Sequence, residues 1–179
     1  MKKTVLISVL ALLAAAVLLY TVSMGVSGIW AANRQDEHIR MMTTLLPGCT
    51  SFTKERYAGE ASNIRSVHRA ENGYVIETAV PGYAGEITML IGVSNEGAVT
   101  GLVVRSLTET HSLGRRILTD ADYLAQYLNT TGDAEVGVNV DALTGATVTS
   151  KAVTRSVNSA VAYVTGVDTV SEATEWGGS

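Results

Sequence analysis

The chain has 179 residues, 46% of them hydrophobic and 17% charged, with a formal net charge of −4. That length suits one globular domain plus an appendage, and the acidic balance argues against a nucleic-acid partner. Cys49 is the single cysteine, and His38, His68 and His111 form no His-x-x-x-His pair, so neither an intramolecular disulfide nor a metal site is expected.

Charge is unevenly spread. From Thr4 to Asn33 there is no charged residue. The apolar part of that stretch, Thr4–Val22, supplies the roughly 20 residues that a helix needs to cross a bilayer core. Lys2 and Lys3 precede it, and the positive-inside rule puts that end in the cytoplasm. Tyr20 and Trp30 stand toward the far side, where aromatic anchors are expected. A cleaved signal peptide is the rival reading, but the run is longer than a usual signal core and no small-x-small site follows closely. Leu46-Pro47-Gly48-Cys49 looks faintly like a lipobox, yet Arg34–Arg40 separates it from the apolar run, so it is rejected. The expectation is an uncleaved anchor over residues 1–30, in contact with the lipid of the cell membrane, with the remaining chain outside the cytoplasm.

Residues 31–51 read as a juxtamembrane helix and linker. Ile39, Met42, Leu45 and Leu46 share one face, and Pro47-Gly48 stops the helix. A domain over 52–165 follows. Tyr74–Val80 is β-branched and bounded by Asn72-Gly73 and Pro81-Gly82, so it predicts a strand. Glu86–Val93 puts Ile87, Met89, Ile91 and Val93 on one face. Ser94-Asn95-Glu96-Gly97 then turns the chain into a return strand over Ala98–Arg105. Asp120 caps an expected helix reaching Asn129, with Tyr123, Leu124, Tyr127 and Leu128 at helical spacing. A last helix is expected over Lys151–Val164, burying Val153, Val157, Ala160, Val161 and Val164. Residues 166–179 read as a loose tail. Strands in succession with helices behind them make an α+β class.

The stretch Asp141-Ala142-Leu143-Thr144-Gly145-Ala146-Thr147-Val148-Thr149-Ser150 organises the rest. It gathers four hydroxyl side chains around Gly145 and Ala146, just before a helix expected to begin near Ser150. Small residues let a bulky ligand approach the backbone, and a helix N-terminus suits a phosphate. On the residues alone, an N-capping loop rich in Ser and Thr is the commoner reading.

The spacing Asp-x-x-Thr-Gly-Ala-Thr resembles the flavinylation motif of the covalent FMN-binding domain family. That family includes the G subunit of Rnf-type ferredoxin:NAD oxidoreductases and the C subunit of sodium-translocating NADH:quinone reductases. The short chain and single anchor look more like the former. The resemblance implies a single transmembrane helix followed by an FMN-binding domain of antiparallel strands with packed helices. It implies that Thr147 carries FMN through a phosphoester, within a motif of Asp141, Thr144, Gly145 and Ala146, with Thr149 and Ser150 beside it. It also implies a separate flavin transferase, using FAD and a divalent metal, because an unaided threonine hydroxyl is a poor nucleophile. Two upstream stretches match the same family. Tyr83 lies in Gly82-Tyr83-Ala84-Gly85, and Glu109, Thr110, Leu113 and Gly114 follow the hairpin, so these residues are expected to line the flavin. His111-Ser112 stands where the family usually has Pro-Gly.

The resemblance implies an electron carrier rather than a self-sufficient enzyme. Its partners would be other membrane and iron–sulfur or flavin subunits of an ion-translocating, Rnf-type electron-transfer complex. A stand-alone anchored flavin domain of another extracytoplasmic electron-transfer system is the alternative, and an anchored, non-redox binding module is the reading of another class. No catalytic residue is expected: the chain has no Ser-His-Asp order, no P-loop and no GxGxxG spacing.

Overall fold

The computed structural model describes residues 13–23, 36–59, 61–83, 85–107, 118, 120–142 and 146–167. The chain divides into two compact units, Met1–Arg40 and Met41–Ser179. In the first, residues 13–23 form a helix, α1, exposed along its length. Among the described residues no helix is long and apolar enough to cross a membrane. The expected anchor begins at Thr4, so it lies partly outside them. A second helix, α2, covers residues 36–45, and its last turn belongs to the second unit.

The second unit is built on one antiparallel sheet. Its strands are β1 (Thr53–Glu55), β2 (Ile64–Arg69), β3 (Gly73–Pro81), β4 (Glu86–Ser94) and β5 (Val99–Leu107), paired in chain order. Two helices complete it: α3 (Ala121–Ala125) and α4 (Thr147–Thr165). The α+β expectation holds. Side chains alternate across a strand, and both faces of this sheet are covered. On one, Ile76 and Val80 of β3 and Ile87, Met89, Ile91 and Val93 of β4 join Val153, Val157, Ala160 and Val161 of α4. On the other, Val75 and Leu90 meet Met42, Leu45, Leu46 and Cys49. The sheet is therefore the middle of three layers.

The hairpin between β4 and β5 turns through Ser94–Gly97. The Ser94 N–H donates to the Ala98 carbonyl at 2.8 Å, and Gly97 sits at φ 86°, a left-handed conformation that glycine adopts without strain. A second pair of glycines does different work. Gly92 of β4 and Gly101 of β5 face each other across the sheet. A Cβ at Gly92 would lie 2.7 Å from the Leu45 carbonyl oxygen and 3.0 Å from its Cβ. At Gly101 a Cβ would meet Leu45 Cδ2 at 3.1 Å. The two glycines thus form a notch that seats the end of α2, and Thr100 Oγ1 donates to the Leu45 carbonyl at 2.6 Å. That bond satisfies one of the carbonyls that a helix end leaves open.

Two helices differ from expectation. α3 ends at Ala125, short of Asn129, because the chain is drawn away to pair with β5. The Asn129 N–H donates to the Val99 carbonyl at 2.9 Å, the Val99 N–H donates to the Thr130 carbonyl at 3.0 Å, and Asn129 takes φ 64°. α4 begins at Thr147, not near Ser150. Thr, Val and Thr have modest helix propensity, but Thr149 and Ser150 are fully buried, and tertiary packing overrides the local preference.

Gly92→Val tests the notch. Strand propensity alone would favour valine there. The clash with the backbone of α2 should instead cost about 1–3 kcal/mol. Urea denaturation should show a lower midpoint, and a midpoint at or above wild type would mean that α2 is not seated on these glycines.

Candidate functional site

The motif opens at the end of a small lobe and closes in the first turn of α4. The lobe is the segment from α3 to Asp141. Asp120 caps α3, its Oδ1 accepting from the Asp122 and Tyr123 N–H groups at 3.0 and 3.2 Å. Asn139 brackets the following loop: its Nδ2 donates to the Asp133 carbonyl at 2.8 Å and its Oδ1 accepts from the Glu135 N–H at 2.7 Å. Asn158 of α4 donates to the Ala134 carbonyl at 2.9 Å, which ties the loop to the helix. Gln126, the C-cap of α3, accepts the Asp141 N–H on its Oε1 at 2.8 Å.

The lobe meets α4 through a chain of buried hydroxyls. Thr154 Oγ1 donates to the Ser150 carbonyl at 3.0 Å. Its single proton is then committed, so the Tyr127 hydroxyl, 3.0 Å away, is the donor to it. Tyr127 in turn accepts from the Tyr123 hydroxyl at 2.9 Å. The Tyr127 oxygen also lies 3.5 Å from the Ser150 carbonyl, a long contact. The two rings meet edge to face, with centroids 5.8 Å apart. Burial, first, and then the neighbouring Tyr123 push the Tyr127 phenol well above its ordinary value.

The first turn of α4 is unusual in two respects. Ala146 is its N-cap, and among the described residues no side-chain hydrogen bond caps the helix, although Ser, Thr, Asp or Asn ordinarily supplies one. The first intrahelical bond of this end runs from the Ser150 N–H to the Ala146 carbonyl at 2.9 Å, which leaves the N–H groups before it without helical partners. Thr147 is exposed, whereas Thr149 and Ser150 are 0% exposed and, among the described residues, their side-chain oxygens have no hydrogen-bond partner. A nineteen-residue helix with an open, positive end therefore presents one solvent-facing hydroxyl at its first position.

Of the residues expected to form the site, Asp141, Ala146, Thr147, Thr149 and Ser150 are described and lie together on this loop–helix junction. Thr144 and Gly145 lie outside the described residues, as do Glu109, Thr110, His111, Ser112, Leu113 and Gly114. Tyr83 is 75% exposed, in the tight connection where the Gly82 N–H donates to the Gly85 carbonyl at 2.7 Å. β5 ends at Leu107, which pairs with Ile87 at the start of β4, so the stretch carrying Glu109 follows from the same end of the sheet as that connection. Gln126, Tyr127 and Thr154 are absent from the sequence-based site. Tyr123 and Tyr127 stood out only as an apolar stripe. The available signal was that pair, four residues apart, opposite a helix rich in Ser and Thr.

Comparison with known proteins bears on the junction. Residues 82–162, just under half of the chain, match the FMN-binding domain family. The match begins at Gly82, ends within α4, and takes in Tyr83, the Glu109–Gly114 stretch and the whole Asp141–Ser150 motif. Among curated proteins, the chain is 38% identical over 98 residues to the G subunit of the proton-translocating ferredoxin:NAD(+) oxidoreductase complex of Clostridium ljungdahlii, covering 51% of this chain and 53% of that one. It is 35% identical over 98 residues to the G subunit of the Na(+)-translocating ferredoxin:NAD(+) oxidoreductase complex of Acetobacterium woodii, covering 50% and 47%. With the G subunit of the ion-translocating oxidoreductase complex of Vibrio atlanticus the identity is 31% over 134 residues, covering 67% and 64%. The chain spans about half the length of the first two.

The buried phenol beside the Asp141–Ser150 motif yields a pH prediction. The pKa of Tyr127 is raised in the folded state. Its contribution to stability is therefore intact below the unfolded phenol value of about 10 and is lost as pH rises beyond it. Thermal unfolding followed from pH 8 to 12 should show a falling midpoint above that value. Tyr127→Phe should start lower, for want of the hydroxyl bond, and fall less steeply. Parallel curves would mean that burial does not hold this phenol neutral.

Proposed function

We propose that this chain is a membrane-anchored flavoprotein subunit. On this reading it carries FMN as a phosphoester on Thr147 and relays electrons in an Rnf-type, ion-translocating ferredoxin:NAD oxidoreductase complex. The observation that carries the reading is the phase of α4. Its first turn turns the Thr147 hydroxyl to solvent and buries those of Thr149 and Ser150 completely. Only the exposed one is open to an enzyme that must reach it. The uncapped N–H groups of the same turn fit a phosphate attached there. Asp141, Thr144, Gly145 and Ala146 complete the motif, and Thr149 and Ser150 would support it from below. Tyr83, Glu109, Thr110, Leu113 and Gly114 would line the flavin.

Bound FMN exchanges one or two electrons and so links one-electron carriers to two-electron chemistry. Attachment itself moves no electrons. With FAD as donor and a flavin transferase and its divalent metal as catalyst, a bond forms between Thr147 Oγ1 and the flavin-side phosphorus. The pyrophosphate bridge breaks, AMP leaves and the hydroxyl proton is released. The apolar run Thr4–Val22 supports the membrane part of the reading. The names of the relatives, subunits of translocating complexes, support other complex subunits as partners; on this reading those are membrane and iron–sulfur or flavin subunits.

Coexpression with a flavin transferase, a denaturing gel and ultraviolet illumination test the attachment. Wild type should fluoresce and Thr147→Ala should not, while both keep the same circular dichroism spectrum. Thr149→Ala and Thr144→Ala should stay labelled, at a lower level. Peptide mass mapping that puts the flavin on Thr149 would overturn the assignment, and an unlabelled wild type would overturn the covalent reading itself. Topology is tested separately: protease added to intact spheroplasts should digest the domain. A domain protected until the membrane is broken would put it on the cytoplasmic side.

A further inference from the structure

We infer that Gln126 is a positioning residue for flavin attachment, acting by holding Asp141 at the start of the motif that carries Thr147. This inference rests on the reading of Thr147 given above. Gln126 and Tyr127 are neighbours at the end of α3, yet they hold opposite ends of the motif. Gln126 Oε1 accepts the N–H of Asp141, the first motif residue, at 2.8 Å. Tyr127 reaches the carbonyl of Ser150, the last motif residue, through Thr154 Oγ1 at 3.0 Å, and Thr154 donates to that carbonyl at 3.0 Å. One dipeptide is therefore bonded toward both ends of the motif.

The two grips differ in kind. That of Tyr127 is buried and belongs to the core. That of Gln126 is made at the surface, between a half-buried amide and an exposed backbone N–H. An exposed side chain–backbone bond contributes little to global stability, because water replaces it on opening. It does hold the backbone of Asp141, the first motif residue, by cutting the conformations open to it. Gln126 thus gives a handle on the start of the motif that is separable from folding. The bond needs an acceptor at Oε1 and nothing more. Glutamate keeps an acceptor there, whereas leucine keeps the bulk and offers none.

The test uses the full-length chain in detergent micelles with a purified flavin transferase, its metal and FAD. The initial rate of covalent labelling is read by in-gel fluorescence against acceptor-chain concentration. Q126L should lower kcat/KM for the acceptor by about tenfold, the scale of one lost hydrogen bond, with an unchanged melting midpoint. Q126E should return it to within about twofold of wild type. Labelling of Q126L at the wild-type rate would overturn the inference, and so would a loss in Q126E equal to that in Q126L. A fall in melting midpoint that accounts for the Q126L loss would show a merely structural role and overturn it too. An unlabelled wild type would defeat the underlying reading as well; a labelled wild type with an equally labelled Q126L defeats the positioning role alone.

Discussion

Val153, Val157, Ala160 and Val161 of α4 expose no surface, because they close against the inward face of β3 and β4. That contact fixes the rotation of a long helix about its own axis, and the rotation then decides the environment of every residue at its N-terminal end. With this face inward, Thr149 and Ser150 must also point inward and Thr147 must point out. The site is thus set by apolar packing several turns away from it. A β-branched and small-residue face suits this role, since such side chains have few rotamers to lose and let the helix approach the sheet closely.

The packing carries a cost. Thr149, Ser150 and Ser156 of α4 and Thr78 of β3 bury side-chain oxygens that have no partner among the described residues. Each unsatisfied hydroxyl costs on the order of 1–3 kcal/mol. Serine and threonine can relieve this by bonding to the carbonyl four residues back, as Thr154 does toward Ser150 and Thr165 toward Val161. Ser150 does not, and it shares the first turn of α4 with the likewise buried Thr149. Two of these four, Thr149 and Ser150, lie in the first turn of α4, where an anionic group is proposed to attach.

Much of this was legible in the residues. The alternation of Ile87, Met89, Ile91 and Val93, the Ser94–Gly97 turn and the apolar stripe of α4 each follow from a period or a turn residue, and each is present. β1 and β2 have no such signature. Ile64 and Val67 fall out of alternation across a register shift between Ile64 and Ser66, and β1 is three exposed or half-buried residues at a sheet edge. The true start of α4 was hidden for a related reason. Its first turn is held by tertiary burial of hydroxyl residues that by themselves favour caps and loops. The motif residues were found by their spacing, but Gln126, Tyr127 and Thr154 act through contacts between segments far apart in sequence, and no local pattern marks them.

Charge around the junction bears on why a covalent bond would be used at all. Asp120, Asp122, Asp133, Glu135 and Asp141 all fall between residues 118 and 150, a stretch with no Lys or Arg. That stretch is more negative than the whole chain, whose net charge is −4. Lys151 and Arg155, within α4, are the nearest cations that follow it in the sequence. A phosphate held by affinity alone would rely on the helix end, worth typically about 0.3–1 kcal/mol at an exposed site, against the field of these carboxylates. The balance would shift with salt, because exposed charges are screened within about 10 Å at 0.1 M. On the proposed reading, a phosphoester would remove retention from that balance. The helix end would then need only to orient the phosphate, and the acidic lobe would be free to shape the approach of whatever exchanges electrons with the flavin.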